Sequence, residues 1–156
     1  MSSTHKAHIS WRRQTEGFAY EEYNREHGWA FPGGERLRAS AAEQFGGNPS
    51  HVDPEEAFVA AVAACHMLTF LALCARKRLV VDSYEDQAVG YLEKNPQGKL
   101  AITRVELSPR IEFAGQAPDP GELERIHHRS HQECFIANSI QSEVLVHAIS
   151  GAGDQS

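Results

Sequence analysis

The sequence is poor in the features that mark secreted and nucleic-acid-binding proteins. Its 156 residues include only three cysteines, an odd number that does not form a disulfide framework. Basic residues are few, with 15 Lys and Arg against 21 Asp and Glu and a formal net charge of −6. Such a surface is not built to neutralise phosphates, so we expect no nucleic-acid partner. The first eight residues lack the apolar run of a signal peptide, which predicts a cytoplasmic protein.

The overall composition is that of an ordinary globular protein. Apolar residues make up 41% of the chain and charged residues 23%, which disfavours disorder and coiled-coil rods. The length of 156 residues matches one domain with a core of its own. We therefore predict a single domain over residues 1–156, with flexible ends at about 1–6 and 151–156.

One long apolar segment runs from Ala57 to Ala75 and approaches the length of a membrane span, which is roughly 20 residues. Seven of its nineteen residues are alanine, and His66 lies near its centre, where an ionisable group in lipid is costly. A helix that is apolar on all sides is then expected to be covered by protein, in the middle of the domain or in a subunit interface. We predict no membrane association.

Local signals predict two helices. The Asp-Pro-Glu-Glu sequence at 53–56 combines an N-cap, a first-turn proline and a capping box. The basic residues 76–78 suit the negative end of the helix dipole, so this helix should run to about residue 78. Residues 119–122 repeat the capping pattern and predict a second helix over about 123–135.

Strand patterns occupy much of the rest of the chain. They lie near residues 8–12, 29–31, within 35–52, over 80–98, over 100–113 and over 142–149. The alternation of apolar and polar residues over 100–113 predicts a half-solvated antiparallel meander. Strands, a long helix, more strands, a second helix and a last strand together predict an α+β fold.

The three cysteines are the candidate reactive groups. Cys65 and Cys74 are nine residues apart on the long helix, about 13.5 Å along its axis, which exceeds the ~7 Å limit for a disulfide. Cys65 and Cys134 are distant in sequence, so packing can bring them together. The plain alternative for each is a small buried apolar residue, and we assign Cys74 to packing.

Two kinds of site fit the residues around these cysteines. His127, His131 and Cys134 are spaced so that one helical face could present them to zinc. The alternative is a solvated face, and nine histidines make such a spacing common by chance, so we predict no metal. A redox thiol needs a nearby cation. Since Cys65 is far from the helix N-terminus, that cation would be an arginine from elsewhere in the chain.

Several short motifs surround the two distant cysteines. They are Asp-Pro-Glu-Glu at 53–56, Ala63-Ala64-Cys65-His66, Tyr84 and His131-Gln132-Glu133-Cys134. Over about residues 49–146 the chain thereby resembles the OsmC/Ohr family of thiol peroxidases. The resemblance implies antiparallel sheets wrapped around two long helices in an intertwined homodimer, which would bury the apolar helix.

The resemblance also implies roles for individual residues. Cys65 matches the peroxidatic cysteine, Cys134 the resolving cysteine and Glu55 the acidic partner. Because ten residues of helix span about 15 Å, we expect Glu55 to act on Cys65 of the other subunit, so that active sites form across the dimer.

The family's arginine is expected in the loop between the first two strands. Arg25 is the candidate there, held in place by Glu55, with Arg36 and Arg38 as second choices and a plain surface role as the alternative. No metal, flavin or haem cofactor is expected.

These assignments predict a peroxidase that reduces organic hydroperoxides and, less well, hydrogen peroxide. Cys65 would become a sulfenic acid, Cys134 would condense with it to a disulfide, and an external dithiol, for example of lipoyl type, would reduce that disulfide. The alternative is a non-catalytic dimeric module of the same fold that binds an apolar ligand.

Overall fold

The computed structural model describes residues 1–147. The chain divides into two compact units, Met1–Ala57 and Phe58–Ser156. Residues 1–7 are exposed and lie outside any helix or strand, whereas the predicted flexible end at 151–156 lies outside the described residues. That the whole chain acts as a single domain stays a prediction.

The first unit contains a small antiparallel sheet. Its strands are β1 (His8–Ser10), β2 (His27–Ala30) and β3 (Arg36–Ala39), in the order β1-β2-β3. Trp29 lies opposite Ile9 on one side and Leu37 on the other. A long connection over residues 11–26 joins β1 to β2 and carries most of the aromatic residues of this unit.

The long helix α1 runs over Pro54–Arg76, as the capping signals predict. The backbone N–H of Glu56 donates to Asp53 Oδ1 at 2.7 Å, and the N–H of Asp53 donates to Glu56 Oε2 at 3.2 Å. This reciprocal pair satisfies two of the N–H groups that every helix start leaves open. At the other end Arg78 adopts a left-handed φ of 59°, and the chain turns towards the next strand.

Helix α1 is covered on one side only by its own chain. Its buried stripe is Val62, His66, Phe70 and Cys74, and its exposed stripe is Ala60, Ala64, Leu68, Ala72 and Ala75. By length and composition it could cross a membrane, and 22% of its most apolar window is buried. The predicted all-round burial is therefore not achieved within one chain.

The second unit adds five strands in two sheets. They are β4 (Val80–Asp86), β5 (Val89–Lys94), β6 (Leu100–Leu107), β7 (Pro109–Ala114) and β8 (Glu143–Val146). Strand β4 pairs with β7, and the second sheet has the order β5-β6-β8, with β6 and β8 parallel. Together with the two helices these sheets make an α+β fold.

The predicted meander over 100–113 is wrong in its pairing. β6 and β7 are consecutive, but β6 has β5 and β8 as its two neighbours and leaves no edge for β7. The N–H of Ser108, between the two strands, donates to Asp86 Oδ1 at 2.7 Å and directs β7 onto β4. The last strand begins one residue later than predicted, and residues 148–149 of that prediction lie outside the described chain.

Helix α2 runs over Pro120–Glu133, three residues ahead of the predicted start. Asp119 caps it by accepting from the N–H of Glu122 at 2.9 Å. Its apolar face packs on α1, β4 and β7 in a core made of Phe70, Cys74, Ile111, Leu123 and Ile126. A second core cluster, Val62, Val105 and Leu107, joins α1 to the sheet of β5, β6 and β8.

Candidate functional site

Cys65 and Cys134 lie together in the second unit. Cys65 is on α1 and half-buried, whereas Cys134 is the residue that ends α2 and is 1% exposed. The two side chains are within hydrogen-bonding reach of each other, and both are free thiols. Packing has thus brought together two cysteines that are 69 residues apart in sequence.

The surroundings of Cys134 keep it protonated. Burial raises the pKa of its thiol, and the hydrogen bond with Cys65 raises it further. The backbone N–H of Ala137 donates to Cys134 Sγ at 3.4 Å and opposes this effect. Cys65 is the more accessible thiol of the pair, and Cys134 is a buried, protonated thiol beside it.

Cys74 is separate from this pair. It is fully buried in the core with Phe70 and Ile111. Burial raises the pKa of its thiol to about 11, against a smaller opposite effect of Lys77. These surroundings are those of an inert packed cysteine.

A cavity of about 590 Å³ adjoins Cys65. Its other lining residues are Leu68, Thr69, Ala72, Leu73, Arg76, Glu133, Phe135 and Asn138. Two of its walls are apolar and open to solvent, since Leu68 is 62% and Phe135 82% exposed. A volume of this size is in the range of small-molecule sites.

The first unit has a cavity of its own, of about 400 Å³, which contains Arg25 and Glu55. Aromatic side chains form most of its wall, namely Trp11, Phe18, Tyr23 and Phe45. Arg36 and Arg38 are exposed on β3 and do not line it. Of the three arginines considered from the sequence, Arg25 is the one that shares a cavity with Glu55.

Arg25 is held by backbone and rings, which differs from the expectation that Glu55 holds it. Its Nη1 donates to the carbonyl oxygen of Tyr23 at 2.6 Å and its Nη2 to that of Tyr20 at 2.5 Å. The guanidinium lies 3.8 Å from the ring centre of Tyr23, a cation–π contact. Within residues 1–147 no ion pair joins Arg25 to Glu55, although the two line the same cavity.

Gly46 lies close to Arg25. It has a left-handed φ of 79°, and a Cβ at this position would lie 3.3 Å from Arg25 Cζ. The Tyr23 ring and the Gly46 backbone thus both lie close to the guanidinium.

The sequence analysis missed a buried histidine pair next to the cysteines. His66 Nε2 and His127 Nδ1 are 3.0 Å apart, with the rings parallel to within 6°. His66 is 1% and His127 3% exposed. The signal that could have found the pair is the position of both histidines on the buried faces of their helices.

The pKa of each imidazole is lowered to about 4, for His127 by burial and for His66 chiefly by burial with smaller effects of the neighbouring His127 and His131. Both rings are therefore neutral at pH 7. His127 uses its Nδ1 for His66, and within residues 1–147 no three His, Cys, Asp or Glu side chains are grouped as metal ligands.

Comparisons with known proteins agree on one family. The family described as OsmC-like protein matches residues 47–148. An OsmC-like protein of unknown function from Vibrio cholerae is 44% identical, with a TM-score of 0.91 over 95% of this chain and 100% of that chain. No curated protein matches the sequence.

More distant structures share the fold. An organic hydroperoxide resistance protein from Elizabethkingia anophelis is 17% identical, with a TM-score of 0.71 over 95% of each chain. One from Legionella pneumophila is also 17% identical, with a TM-score of 0.66 over 95% of this chain and 97% of that chain. At these identities the similarity establishes the fold alone.

Proposed function

The chain belongs to the OsmC-like protein family, and from this premise we propose that it is a cysteine-based peroxidase acting on organic hydroperoxides and, less efficiently, on hydrogen peroxide. The observation that carries the proposal is the accessible Cys65 beside the buried Cys134 thiol, at the edge of an apolar cavity. Two proteins of the same fold are named organic hydroperoxide resistance proteins, which supports this choice of substrate.

The two cysteines divide the reaction into two steps. The Cys65 thiolate attacks the hydroperoxide, takes up the terminal OH as a sulfenic acid and releases an alkoxide, which gains a proton to become the alcohol. The Cys134 thiol then displaces that hydroxyl as water and forms a disulfide with Cys65. An external dithiol, such as a lipoyl-type one, exchanges with the disulfide and leaves as its own cyclic disulfide.

We propose that Arg25 and Glu55 complete the site from a second copy of the chain. Glu55 precedes Cys65 by ten residues on α1, about 15 Å along the helix axis, so it cannot contact the Cys65 sulfur of its own helix. A guanidinium near Cys65 would stabilise its thiolate, and the backbone carbonyls of Tyr20 and Tyr23 already hold Arg25 in one orientation.

The exposed stripe of α1 supports a homodimer. The stripe consists of four alanines and Leu68 at steps of three or four residues, so a second helix could approach closely along it. A continuous apolar stripe on one face of a helix is typical of an interface. In a symmetric dimer the same stripe would face itself, and each Cys65 would lie near the partner's first unit.

The shape and polarity of the two cavities favour organic peroxides. Aromatic side chains surround Arg25, and Leu68 and Phe135 form an apolar rim near Cys65. Burial of an alkyl or aryl group against these side chains favours its binding. Hydrogen peroxide offers no such surface. The cytoplasmic location and the absence of membrane association stay predictions.

The test is peroxide consumption by the reduced protein under single-turnover conditions. We expect one equivalent of cumene hydroperoxide to be consumed per chain, with the loss of the Cys65 and Cys134 thiols. Cys65→Ser should abolish consumption, and the matched control Cys74→Ser should leave it unchanged because Cys74 is packed in the core.

Unchanged consumption in Cys65→Ser would contradict the proposal. Absence of consumption by the unmodified protein would also contradict it and would leave the alternative, a non-catalytic module that binds an apolar ligand. It predicts that Cys65 reacts with alkylating reagents no faster than an ordinary thiol at pH 6.

A further inference from the structure

The buried histidine pair connects the two helices that carry the redox cysteines. His66 is the residue directly after Cys65 on α1. His127 precedes Cys134 by seven residues on α2, two turns along the same face. Their hydrogen bond at 3.0 Å is therefore a fixed polar link between the two helices, close to both sulfurs in sequence.

Filling a core with this histidine pair costs more free energy than filling it with apolar side chains. Two neutral imidazoles have two N–H donors and two lone pairs, and one hydrogen bond between them uses one of each. The nitrogens left over, His66 Nδ1 and His127 Nε2, are buried without a hydrogen-bond partner among residues 1–147. Two apolar side chains of similar volume would avoid this loss and would be neutral or stabilising.

What the imidazoles provide instead is a defined geometry. A hydrogen bond fixes distance and direction, whereas apolar side chains tolerate sliding. The rings lie parallel within 6°, and Phe70 stacks on His127 with 4.4 Å between ring centres. The hydrogen bond and the stacking of Phe70 on His127 thus hold α2 at one position along α1.

We propose that His66 and His127 are positioning residues that set the relative placement of α1 and α2 so that Cys65 and Cys134 can form a disulfide. Among residues 1–147 no hydrogen bond joins either imidazole to a cysteine sulfur, and the pair acts through the helices. The inference rests on the disulfide of the proposed function, but not on any reaction with peroxide.

The experiment measures the equilibrium between the Cys65–Cys134 disulfide and glutathione. Two glutathione thiols reduce the protein disulfide to two thiols and become glutathione disulfide, so the redox buffer alone sets the extent of reaction. The Cys74→Ser protein serves as the parent, which restricts the chemistry to one pair. Samples are quenched with acid, and oxidised and reduced protein are counted by alkylation and mass.

In this parent the variant His66→Leu/His127→Leu removes the link and both unpartnered nitrogens. We expect the constant for disulfide formation to fall about tenfold, the size of losing one buried hydrogen bond, while resistance to urea is unchanged or higher. The matched control is Ser130→Ala, since Ser130 is also buried on α2 but donates only to Ile126 O of its own helix. Its disulfide constant should stay within twofold of the parent.

A double-leucine constant within twofold of the parent would overturn the proposal and leave the pair as core filling. If the double variant does not fold, the disulfide-formation constant of the single variant His127→Leu is measured in its place. A tenfold fall supports the link, and an unchanged constant overturns it. Because no peroxide is used, a protein without peroxidase activity still gives a clear result, which separates this inference from the proposed function.

Discussion

Acid should destabilise the protein through the same two imidazoles. The pKa of each is about 4 in the folded chain against 6.5 for an ordinary histidine, chiefly because burial disfavours the charged ring. Between these values the unfolded chain binds protons that the folded chain does not. The contribution of the two neutral imidazoles to the free energy of unfolding is therefore fully present above about pH 6.5, and it is lost as the pH falls towards 4.

The structure gives the size of the effect. A fall in pKa from 6.5 to about 4 corresponds to about 3 kcal/mol for each imidazole. The two nitrogens that share the first proton are 3.0 Å apart, so that proton opposes binding of the second and does not reduce the loss, which is about 6 kcal/mol for the pair at pH 4. A domain of this size has a free energy of unfolding of about 5 to 15 kcal/mol, so acid should bring it close to unfolding.

Urea unfolding followed by far-UV circular dichroism at pH 7, 6, 5 and 4 measures this loss. The His66→Leu/His127→Leu variant is the control, and its stability should depend much less on pH in this window. Asp86 acts in the opposite direction, since burial raises the pKa of its carboxyl and acid then favours the folded state, but it does so equally in both proteins. Parallel pH curves for the two proteins would refute the reasoning.

Two further substitutions test the environments of single side chains. Gly46→Ala should lower stability by about 1 to 2 kcal/mol for its positive φ and also reduce peroxidase kcat/KM, because the new Cβ displaces Arg25. Gly34→Ala is the matched control, with a φ of +100° and no atom within 4 Å of the new Cβ. Gly34→Ala should lower stability without lowering kcat/KM. Equal losses of kcat/KM in Gly46→Ala and Gly34→Ala would contradict the role of Arg25. Tyr84→Phe removes a buried hydroxyl that has no hydrogen-bond partner among residues 1–147, so urea unfolding should show unchanged stability or a gain of up to about 1 kcal/mol. A loss above 1 kcal/mol would reveal a partner for that hydroxyl.

The sequence predicts those parts of the fold that depend on neighbouring residues. Asp53 and Asp119 each lie three residues before a glutamate, and the hydrogen bonds that cap α1 and α2 are confined to those few residues. The helix starts are therefore readable from short segments. In α2 the start is three residues early because Pro120 and Gly121 occupy the first turn.

Strand pairing was not predictable in the same way. The alternation over residues 100–113 reveals two strands, but it carries no information on their partners. The partner of β6 on its second edge is β8, which is about 40 residues later in the chain and parallel. Once β8 occupies that edge, β7 has only β4 to pair with, and no pattern within β6 and β7 indicates this.

For the candidate site, too, some features were predictable from the sequence and others were not. The sequence could identify Cys65 and Cys134 as a possible pair, because the question was only which two cysteines could meet. It could not identify what holds Arg25, since the contacts are backbone carbonyls and a ring from a loop without periodicity. This difference changes the role left for Glu55. A guanidinium already fixed by its own loop does not need a carboxylate to orient it, so in a dimer the Glu55 carboxylate would be available to act on groups from the partner chain, where we place Cys65.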